Sequence, residues 1–390
     1  MRTVAVFTGN RSEYGLLYPV LRAIEAHPQL DYRLIVGASH LEGDFGATQA
    51  EIEKDGFTIH GRVAMPLGAD TLRATAAAIG HGVLGLSDVL AELRPDCLVL
   101  YGDRYESFAA MIAATQMGIP VAHIEGGDYT EGGALDDSVR HAMTKLAHLH
   151  FTTNAAAAER VLKLGEEAWR VCNVGLPALD MIVAGQHADV EELRAFGIDA
   201  ERPVILFCQH SVSTEPDSAV DQLMPSLAAL QTLAGEGCQV ILTYPNSDAG
   251  GRRMIEVIER WPAAENIRVV RSLGRHRFHG VLHLIGRVGR GALVGNSSAG
   301  IKETPVFGCP TVNIGTRQRG RLRSGNVLEV GYDAGEIVGA IRRCIDDEAF
   351  RAVCRACENP YGDGRAGTRI AETLSTLDTG TSLLQKKMTY

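Results

Sequence analysis

Residues 96–126 read DCLVLYGDRYESFAAMIAATQMGIPVAHIEG and place a helical stretch between two short apolar runs. The runs DCLVLYG (96–102) and PVAHIEG (120–126) are apolar almost throughout, which is typical of strands buried on both faces of a sheet. Such strands, separated by a helix, run parallel in a sheet that helices cover. The stretch therefore predicts a parallel α/β fold.

The same rhythm extends along the chain in both directions. Before residue 200, further strand candidates are TVAVFTG (3–9), YRLIVGA (32–38), LHFTT (149–153) and RVCNVG (170–175). The rhythm then restarts with PVILFCQ (203–209), QVILTYP (239–245), IRVVRS (267–272), ALVGNSS (292–298) and PTVNIG (310–315). Because 390 residues exceed one ordinary core, we predict two doubly wound, Rossmann-like domains over 1–180 and 200–358, with a linker inside 176–203.

The composition restricts the class of partner. A net charge of −9 without a Lys/Arg-rich block argues against nucleic acid, because binding to its phosphate backbone needs a basic patch. No apolar run approaches the roughly 20 residues that cross a bilayer, and the start, MRTVAVFTGN, lacks a signal-peptide pattern. The eight cysteines are scattered. We therefore expect a cytoplasmic protein with reduced thiols and no membrane partner.

Polar residues gather where the predicted strands end. In open parallel sheets, ligands bind beyond the carboxyl ends of the strands, so chemistry is expected at these positions. The candidates are Arg11, Asp103, Glu125, His210, Asn246, Asn296, Ser297, Ser298, Gly300, Glu303, Arg317 and Arg321.

The segment GNSSAGIKE (295–303) has the pattern of a strand, a turn and a helix with an open amino end. Its small residues and free N–H groups suit a phosphate, although an ordinary serine-rich helix cap has the same pattern. Arg317, Arg319 and Arg321 in a following loop favour a diphosphate. G-x-G-x-x-G and P-loop patterns are absent, and no Cys/His cluster has the spacing of a metal site. We therefore expect neither cofactor nor metal.

The stretch AHIEGGDYTEGGALDDSVRHAMTKLAHLH (122–150) concentrates carboxylates around paired glycines. In the helix that follows the glycines, Asp136 and Arg140 are expected to lie together beside the face that packs on the sheet, with Asp137 pointing further around. The ordinary explanation for this pair is a helix-start ion pair of about 0.3–0.5 kcal/mol.

Three of these carboxylates are expected in one space. Asp103 and Glu125 end neighbouring strands, and Asp136 begins the next helix. Because like charges repel, at least one carboxyl pKa should rise, which suits acid–base chemistry. His210 follows a buried strand of the second domain and is a candidate partner, although a lone histidine is more often an ordinary surface or core residue.

These segments together resemble the UDP-N-acetylglucosamine 2-epimerases, and more closely their hydrolysing branch in sialic and legionaminic acid synthesis. The resemblance covers nearly the whole chain, through TGNRSEYGLL, YGDRYE, HIEGGDYTEGGALDDSVRHAMTKLAHLHF, NVGLPALD, GNSSAGIKE and GTRQRGR. Non-hydrolysing members carry Glu-Glu-x-Asn-Arg where this chain has DDSVR (136–140). The family implies a glycosyltransferase-B-like fold, an active site in the interdomain cleft, and a helix over 359–376 that crosses back to the first domain.

The resemblance also implies roles for individual residues. Asp103, Glu125 and Asp136 match the catalytic carboxylates, with Arg140 beside them, and His210 matches a catalytic histidine. The family's contacts to the nucleotide match Arg11, Ser298, Glu303 and Arg321. The expected substrate-binding residues are these four and the residues at strand ends and in the following loop, Asn246, Asn296, Ser297, Gly300 and Arg317.

The implied reaction converts UDP-GlcNAc to ManNAc and UDP by anti elimination to a 2-acetamidoglycal, followed by addition of water. Four alternatives stay open: the same reaction on UDP-N,N'-diacetylbacillosamine or a GDP-linked equivalent, reversible epimerisation without hydrolysis, glycosyl transfer, and a non-catalytic sugar-nucleotide sensor. The expected partners are a nucleotide sugar and further copies of the chain in a homodimer or homotetramer.

Overall fold

The computed structural model describes residues 1–41, 48–66, 71–129, 135–212, 214–246, 250–378 and 380–390. The chain divides into two compact units. The first unit comprises Met1–Met181 and Tyr361–Tyr390, and the second comprises Ile182–Pro360. The second segment of the first unit thus follows the second unit in sequence.

Each unit is built on a parallel sheet. The strands of the first are β1 (Arg2–Thr8), β2 (Leu30–Gly37), β3 (Ile59–Val63), β4 (Cys97–Tyr101), β5 (Val121–Ile124), β6 (Leu149–Thr152) and β7 (Val171–Asn173). Those of the second are β8 (Val204–Cys208), β9 (Gln239–Thr243), β10 (Ile267–Val270), β11 (Gly291–Gly295), β12 (Thr311–Ile314) and β13 (Val327–Val330).

Helices connect most successive strands, and some helices follow one another without an intervening strand. They are α1 (Arg11–Ala26), α2 (Gln49–Lys54), α3 (Leu72–Leu93), α4 (Tyr105–Gln116), α5 (Leu135–Leu146), α6 (Ala155–Lys163), α7 (Ala178–Val183), α8 (Val190–Ala195), α9 (Ala219–Gly235), α10 (Gly251–Arg260), α11 (Gly274–His283), α12 (Ala299–Lys302), α13 (Thr304–Phe307), α14 (Ala334–Asp346), α15 (Glu348–Ala356), α16 (Ala366–Thr376) and α17 (Thr381–Leu384).

The strand order of each sheet reverses once. The first sheet runs β3-β2-β1-β4-β5-β6-β7 and the second β10-β9-β8-β11-β12-β13, with parallel pairing throughout the described residues. The prediction of two doubly wound parallel sheets is therefore confirmed. The order reverses between β1 and β4 and between β8 and β11, where the connections leave in opposite directions and open a crevice at the carboxyl ends.

Alternate residues of the first sheet face two separate cores. Val4 and Val6 of β1 belong to a cluster with α1 and α16, whereas Ala5 and Phe7 belong to a cluster with α3, α4 and α5. All four side chains are fully buried. Helices on both faces explain why the strands read as continuous apolar runs rather than as alternating patterns.

Helix α3 bears on the expectation that no apolar run is long enough to cross a bilayer. Its residues Arg73–Leu93 are long and apolar enough to cross a membrane by length and composition, although His81, Asp88 and Glu92 interrupt the apolar residues. The core helix of a globular domain passes the same test. Ala78, Leu86 and Leu90 are fully buried and α3 packs along α4, while Asp88 is exposed. Helix α3 is thus an amphipathic helix of the layer that covers the first sheet.

Helix α16 packs on α1 of the first unit. The carboxylate of Asp180 accepts hydrogen bonds from the backbone N–H groups of Ala366 (2.9 Å) and Gly367 (2.7 Å), which have no partner inside the helix. Ile370 and Leu374 are fully buried in the same core as α1.

The close contact between α16 and α1 predicts the effect of a methyl group at Gly367. A Cβ atom there would lie 2.7 Å from the carbonyl oxygen of Pro19. We expect Gly367→Ala to destabilise the protein by about 1–3 kcal/mol, as overpacking does. The control is Gly80→Ala on the exposed side of α3, where a Cβ atom meets open space and alanine should stabilise by up to about 1 kcal/mol. Thermal unfolding followed by circular dichroism measures both, and a stabilising effect of Gly367→Ala would contradict this packing.

Candidate active site

The carboxylates of the first unit lie at the carboxyl ends of β4 and β5 and in the first turn of α5. Asp103 follows β4, and Glu125 follows β5 with its backbone N–H bonded to Phe151 O (3.0 Å). Glu125 has a φ of +70°, the left-handed region that a residue with a side chain rarely adopts. Such backbone strain concentrates at functional sites, where the surrounding structure enforces it.

Arg140 of α5 holds this group together. Its side chain is 6% exposed and forms ion pairs with Asp103 and with Asp137, the latter at 2.9 Å. The same guanidinium donates to the backbone oxygen of Asp128 (2.8 Å). One buried cation thus joins the turn after β4, the turn after β5 and the start of α5. A buried charge in such a network is costly to strip of its partners, which fixes the three segments relative to one another.

The ion pair within α5 differs from the expected one. Arg140 pairs with Asp137, three residues before it, whereas Asp136 is exposed. The prediction that Asp136 pairs with Arg140 and that Asp137 points away was therefore wrong. Both spacings place side chains on neighbouring positions of a helix, so the sequence pattern fits either pair. The tertiary contact from Asp103 decides which side of the helix Arg140 faces.

The surroundings of Asp103 raise its pKa to about 6. Burial is the main cause, and the neighbouring charges of Glu125, Asp136 and Asp137 add to it, while Arg140 opposes it. The expectation of a raised carboxyl pKa is thereby supported, since the charges of the three neighbouring carboxylates all raise the pKa of Asp103. Tyr101, at the end of β4, was missed by the sequence analysis. It is 4% exposed, and its pKa is raised by burial and then by Glu125, so a phenol that keeps its proton lies beside the carboxylates.

The turn after β1 carries Arg11, whose side chain is 71% exposed and pairs with Glu51 at 2.9 Å. Behind it lies a buried carboxyl group that the sequence analysis missed. Glu13 accepts hydrogen bonds from Gly9 N (3.3 Å) and Ser107 Oγ (2.8 Å), and burial followed by the charge of Glu106 raises its pKa to about 8. A neutral Glu13 therefore connects the turn after β1 with α4.

The polar residues of the second unit lie after β8 and β11. His210 follows β8, and its backbone N–H donates to Asn296 Oδ1 (2.7 Å), while Asn296 Nδ2 donates to the backbone oxygen of His210 (2.9 Å). The ring Nδ1 of His210 accepts from Asn246 N (3.0 Å). Asn296 is 1% exposed, so its amide serves His210. Predicted site residues from three different turns therefore come together.

The turn after β11 borders a cavity of about 370 Å³. Its lining residues are Cys208, Thr243, Tyr244, Arg271, Ser272, Leu273, Gly274, Arg275, Phe278, His279, Ser297, Ser298, Ala299 and Glu303. Glu303 forms a hydrogen bond with Nε2 of His279 (2.8 Å), a histidine to which the sequence analysis assigned no role. The cavity thus contains Ser297, Ser298 and Glu303 together.

The expected helix after this turn is interrupted. The structure has two single turns, α12 and α13, since Pro305 has no N–H with which to continue the ladder. Gly300 serves packing here, as a Cβ atom would lie 2.8 Å from Thr311 Cγ2. The single turn of α12 therefore contributes less helix dipole to a phosphate site than the sequence indicated. What still suits a phosphate is the small side chains and the N–H groups of the turn.

The loop after β12 supports Asn296 from the other side. Arg317 Nη1 (3.2 Å) and Gln318 Nε2 (2.8 Å) both donate to the backbone oxygen of Asn296. Arg321 donates to Gln318 Oε1 (2.6 Å). Gln318 is 1% exposed and was missed, since a glutamine between two arginines gives no signal in a single sequence. Among the described residues, no group of three or more His, Cys, Asp or Glu could hold a metal ion.

The chain is similar to a known enzyme family in both sequence and fold. A family model described as UDP-N-acetylglucosamine 2-epimerase matches residues 22–375. UDP-N,N'-diacetylbacillosamine 2-epimerase (hydrolyzing) of Legionella pneumophila is 33% identical over 392 residues, 100% of both chains. UDP-N-acetylglucosamine 2-epimerase of Neisseria meningitidis serogroup B is 30% identical over 393 residues, 99% of this chain and 98% of that protein. The structure of UDP-GlcNAc 2-epimerase from Methanocaldococcus jannaschii matches with a TM-score of 0.75 and 18% identity, over 96% and 99% of the two chains.

The two parallel-sheet units have an α/β fold of the glycosyltransferase-B-like class, as predicted. Within that class, the chain belongs to the UDP-N-acetylglucosamine 2-epimerase family. The predicted resemblance to its hydrolysing members is confirmed by the similarity to the Legionella enzyme.

The raised pKa of Asp103 predicts how stability depends on pH. Because the folded protein binds this proton more tightly than the unfolded chain, the contribution is fully present below about pH 4 and is lost as pH rises through about 6. We expect the stability of Asp103→Asn relative to the wild type to increase over this window, by an amount on the order of 2–3 kcal/mol. Urea unfolding at a series of pH values measures it.

The exposed Asp88→Asn serves as the control and should follow the wild type at each pH. Carboxyl NMR of ¹³C-labelled aspartate, with Asp103 assigned through its loss in Asp103→Asn, gives the pKa directly. An Asp103 that titrates near 4 would contradict the described environment.

Proposed function

We propose that this enzyme is a hydrolysing 2-epimerase of UDP-linked 2-acetamido sugars. It removes the proton at C2 of the sugar, expels UDP from C1, and adds water to the resulting glycal, so that the 2-epimer leaves as a free sugar. The observation that carries the proposal is the ion pair between Asp103 and the buried Arg140. The nearby charges of Glu125, Asp136 and Asp137 raise the pKa of Asp103.

These carboxylates suit both proton transfers. The C2 proton is weakly acidic, so its base must be positioned and must retain affinity for a proton. With a pKa of about 6, Asp103 can accept a proton near neutral pH and return it in the next step. Glu125, held by its strained backbone on the neighbouring strand, supplies a second carboxylate. We assign the proton transfers to Asp103 and Glu125. The charge of Asp136 raises the pKa of Asp103, and Arg140 holds Asp103 in place.

The second unit supports departure of the diphosphate. Cleavage of the C1–O bond leaves negative charge on UDP, which N–H groups and cations stabilise. The cavity lined by Ser297, Ser298 and Glu303 supplies small polar residues, and Arg317 lies in the adjoining loop. Arg11 of the first unit stays a predicted phosphate contact; its exposed guanidinium pairs with Glu51 in a surface ion pair of low energetic value.

The sugar is the finer part of the proposal. The similarity over the full chain to an enzyme named for UDP-N,N'-diacetylbacillosamine favours that substrate, and the slightly more distant Neisseria protein is named for UDP-GlcNAc. We therefore rank the diacetylated sugar first and UDP-GlcNAc second. The homo-oligomer, the cytoplasmic location and a ligand site shared by the two domains stay predictions.

One assay tests both the reaction and the sugar. We expect incubation with UDP-N,N'-diacetylbacillosamine in deuterated water to release UDP and the free 2-epimer with deuterium at C2, observed by NMR. UDP-GlcNAc is run in parallel, and faster release of deuterated ManNAc would reverse the order of the two sugars. An epimer that stays linked to UDP would identify a non-hydrolysing enzyme. A transferred sugar would identify a glycosyltransferase, and two unchanged substrates would contradict the proposal.

The carboxylates can be tested one at a time. We expect Asp103→Asn and Glu125→Gln each to lower kcat by about 10²–10⁴-fold, because a positioned acid or base contributes that much. UDP binding, measured by calorimetry, should change little, since the phosphate contacts lie on other residues. Asp88→Asn, on the exposed side of α3, is the control and should keep full activity. Wild-type kcat in either amide variant would remove that residue from the mechanism.

A further inference from the structure

The ring of His210 has a defined hydrogen-bonding state. Its Nδ1 accepts the backbone N–H of Asn246 at 3.0 Å. A ring nitrogen that accepts a hydrogen bond carries no proton, so the proton of the neutral imidazole lies on Nε2. Protonation of Nδ1 would place two N–H groups against each other. Because the partner is a main-chain amide, which can only donate, this preference does not depend on the side chain of Asn246.

The opposite nitrogen lies beside a thiol. Nε2 is 3.5 Å from Cys208 Sγ, and burial of Cys208 raises the pKa of its thiol, so the sulfur stays protonated. With the proton of the imidazole on Nε2, sulfur is the acceptor, and sulfur is a weak one. Cys208 also lines the cavity with Ser297 and Ser298. A ligand oxygen that reaches this wall would be a better acceptor for the Nε2 proton than the thiol.

The side chain of Asn296 holds the main chain of His210 through two hydrogen bonds. Asn296 accepts from His210 N and donates to His210 O, at 2.7 and 2.9 Å. The backbone oxygen of Asn296 is in turn held by Arg317 and Gln318. The buried amide thus spans the turns after β8 and β11, with the loop after β12 behind it. Because the amide of Asn296 both accepts from and donates to the backbone of His210, it holds that backbone in place.

We propose that Asn296 is a positioning residue which, together with the main chain of Asn246, holds His210 as a neutral imidazole with its proton on Nε2. His210 then donates a hydrogen bond to a substrate oxygen and does not remove a proton from the sugar. The identity of that oxygen rests on the proposed function: when the C1–O bond breaks, its electron pair stays with the diphosphate, and the Nε2 proton stabilises it without being transferred. This role replaces the substrate contact that the sequence assigned to Asn296.

The tautomer can be observed without substrate. Protein with ¹⁵N-labelled histidine rings gives long-range ¹H–¹⁵N correlations that distinguish the two tautomers and the imidazolium, and His210→Gln assigns the signal. At neutral pH we expect a protonated Nε2 and an unprotonated Nδ1 for His210. A proton on Nδ1, or an imidazolium, would overturn the proposal whether or not the enzyme is active on any sugar nucleotide.

The role of Asn296 is tested by kinetics. We expect Asn296→Ala and the isosteric Asn296→Asp to lower kcat by about 10–100-fold with little change in KM, because misplacing a catalytic group affects the transition state more than binding. In the same variants the His210 ring should lose its single tautomer. The control is Asn313→Ala, which removes a buried asparagine (1% exposed) that bonds Glu329 on the neighbouring strand.

The outcomes separate the two proposals. A raised KM with unchanged kcat and an unchanged tautomer would make Asn296 a substrate contact and overturn the positioning role. If Asn296→Ala fails to fold, judged by circular dichroism, the isosteric Asn296→Asp decides the question by the same measurements. If the wild type turns over neither UDP sugar, the proposed function fails, and the tautomer spectra of the wild type and Asn296→Asp still decide this inference.

Discussion

The buried guanidinium of Arg140 is the interaction on which the first unit's site depends. It contacts Asp103, Asp137 and the main chain of Asp128, so the turns after β4 and β5 and the start of α5 share one cation. Without it, the partly buried Asp103 and the buried Asp137 would lose the cation that compensates their charges here, which is costly. Its charge only partly offsets burial, which leaves Asp103 with a pKa of about 6. Arg140 thus fixes the position of Asp103 and limits the rise in pKa that burial causes.

In the second unit, Asn296 joins neighbouring turns as Arg140 does in the first, but through neutral hydrogen bonds instead of ion pairs. A neutral amide joins the turns after β8 and β11, where the order of the second sheet reverses. In the first unit the reversal lies between β1 and β4, and there the neutral carboxyl group of Glu13 joins the turn after β1 to α4. In both units polar groups that are buried and paired hold the crevice-forming turns in register, which a purely apolar contact would do less specifically.

The fold could be predicted from the sequence because covered parallel strands are continuous apolar runs. Each predicted strand is present, and the two that were missed, β3 and β13, lie at sheet edges. Their partly exposed patterns, IHGRV and VLEV, do not form an apolar run. The positions of Asp103, Glu125, His210 and Asn296 followed from the rule of strand ends. Their partners could not be predicted in this way. The pairing of Arg140 with Asp137 instead of Asp136, and the hydrogen bonds of Asn296 to His210, depend on contacts between segments distant in sequence.

The first unit is assembled from both ends of the chain, with Tyr361–Tyr390 beside Met1–Met181. The fully buried Arg170 donates to the carbonyl oxygens of Ser382 and Leu383, and Glu166 pairs with Lys386. During synthesis on the ribosome, the second unit is therefore complete before the first. Until residues 361–390 emerge, the nascent first unit lacks the carbonyl partners of Arg170 and the helix α16 that completes its apolar core.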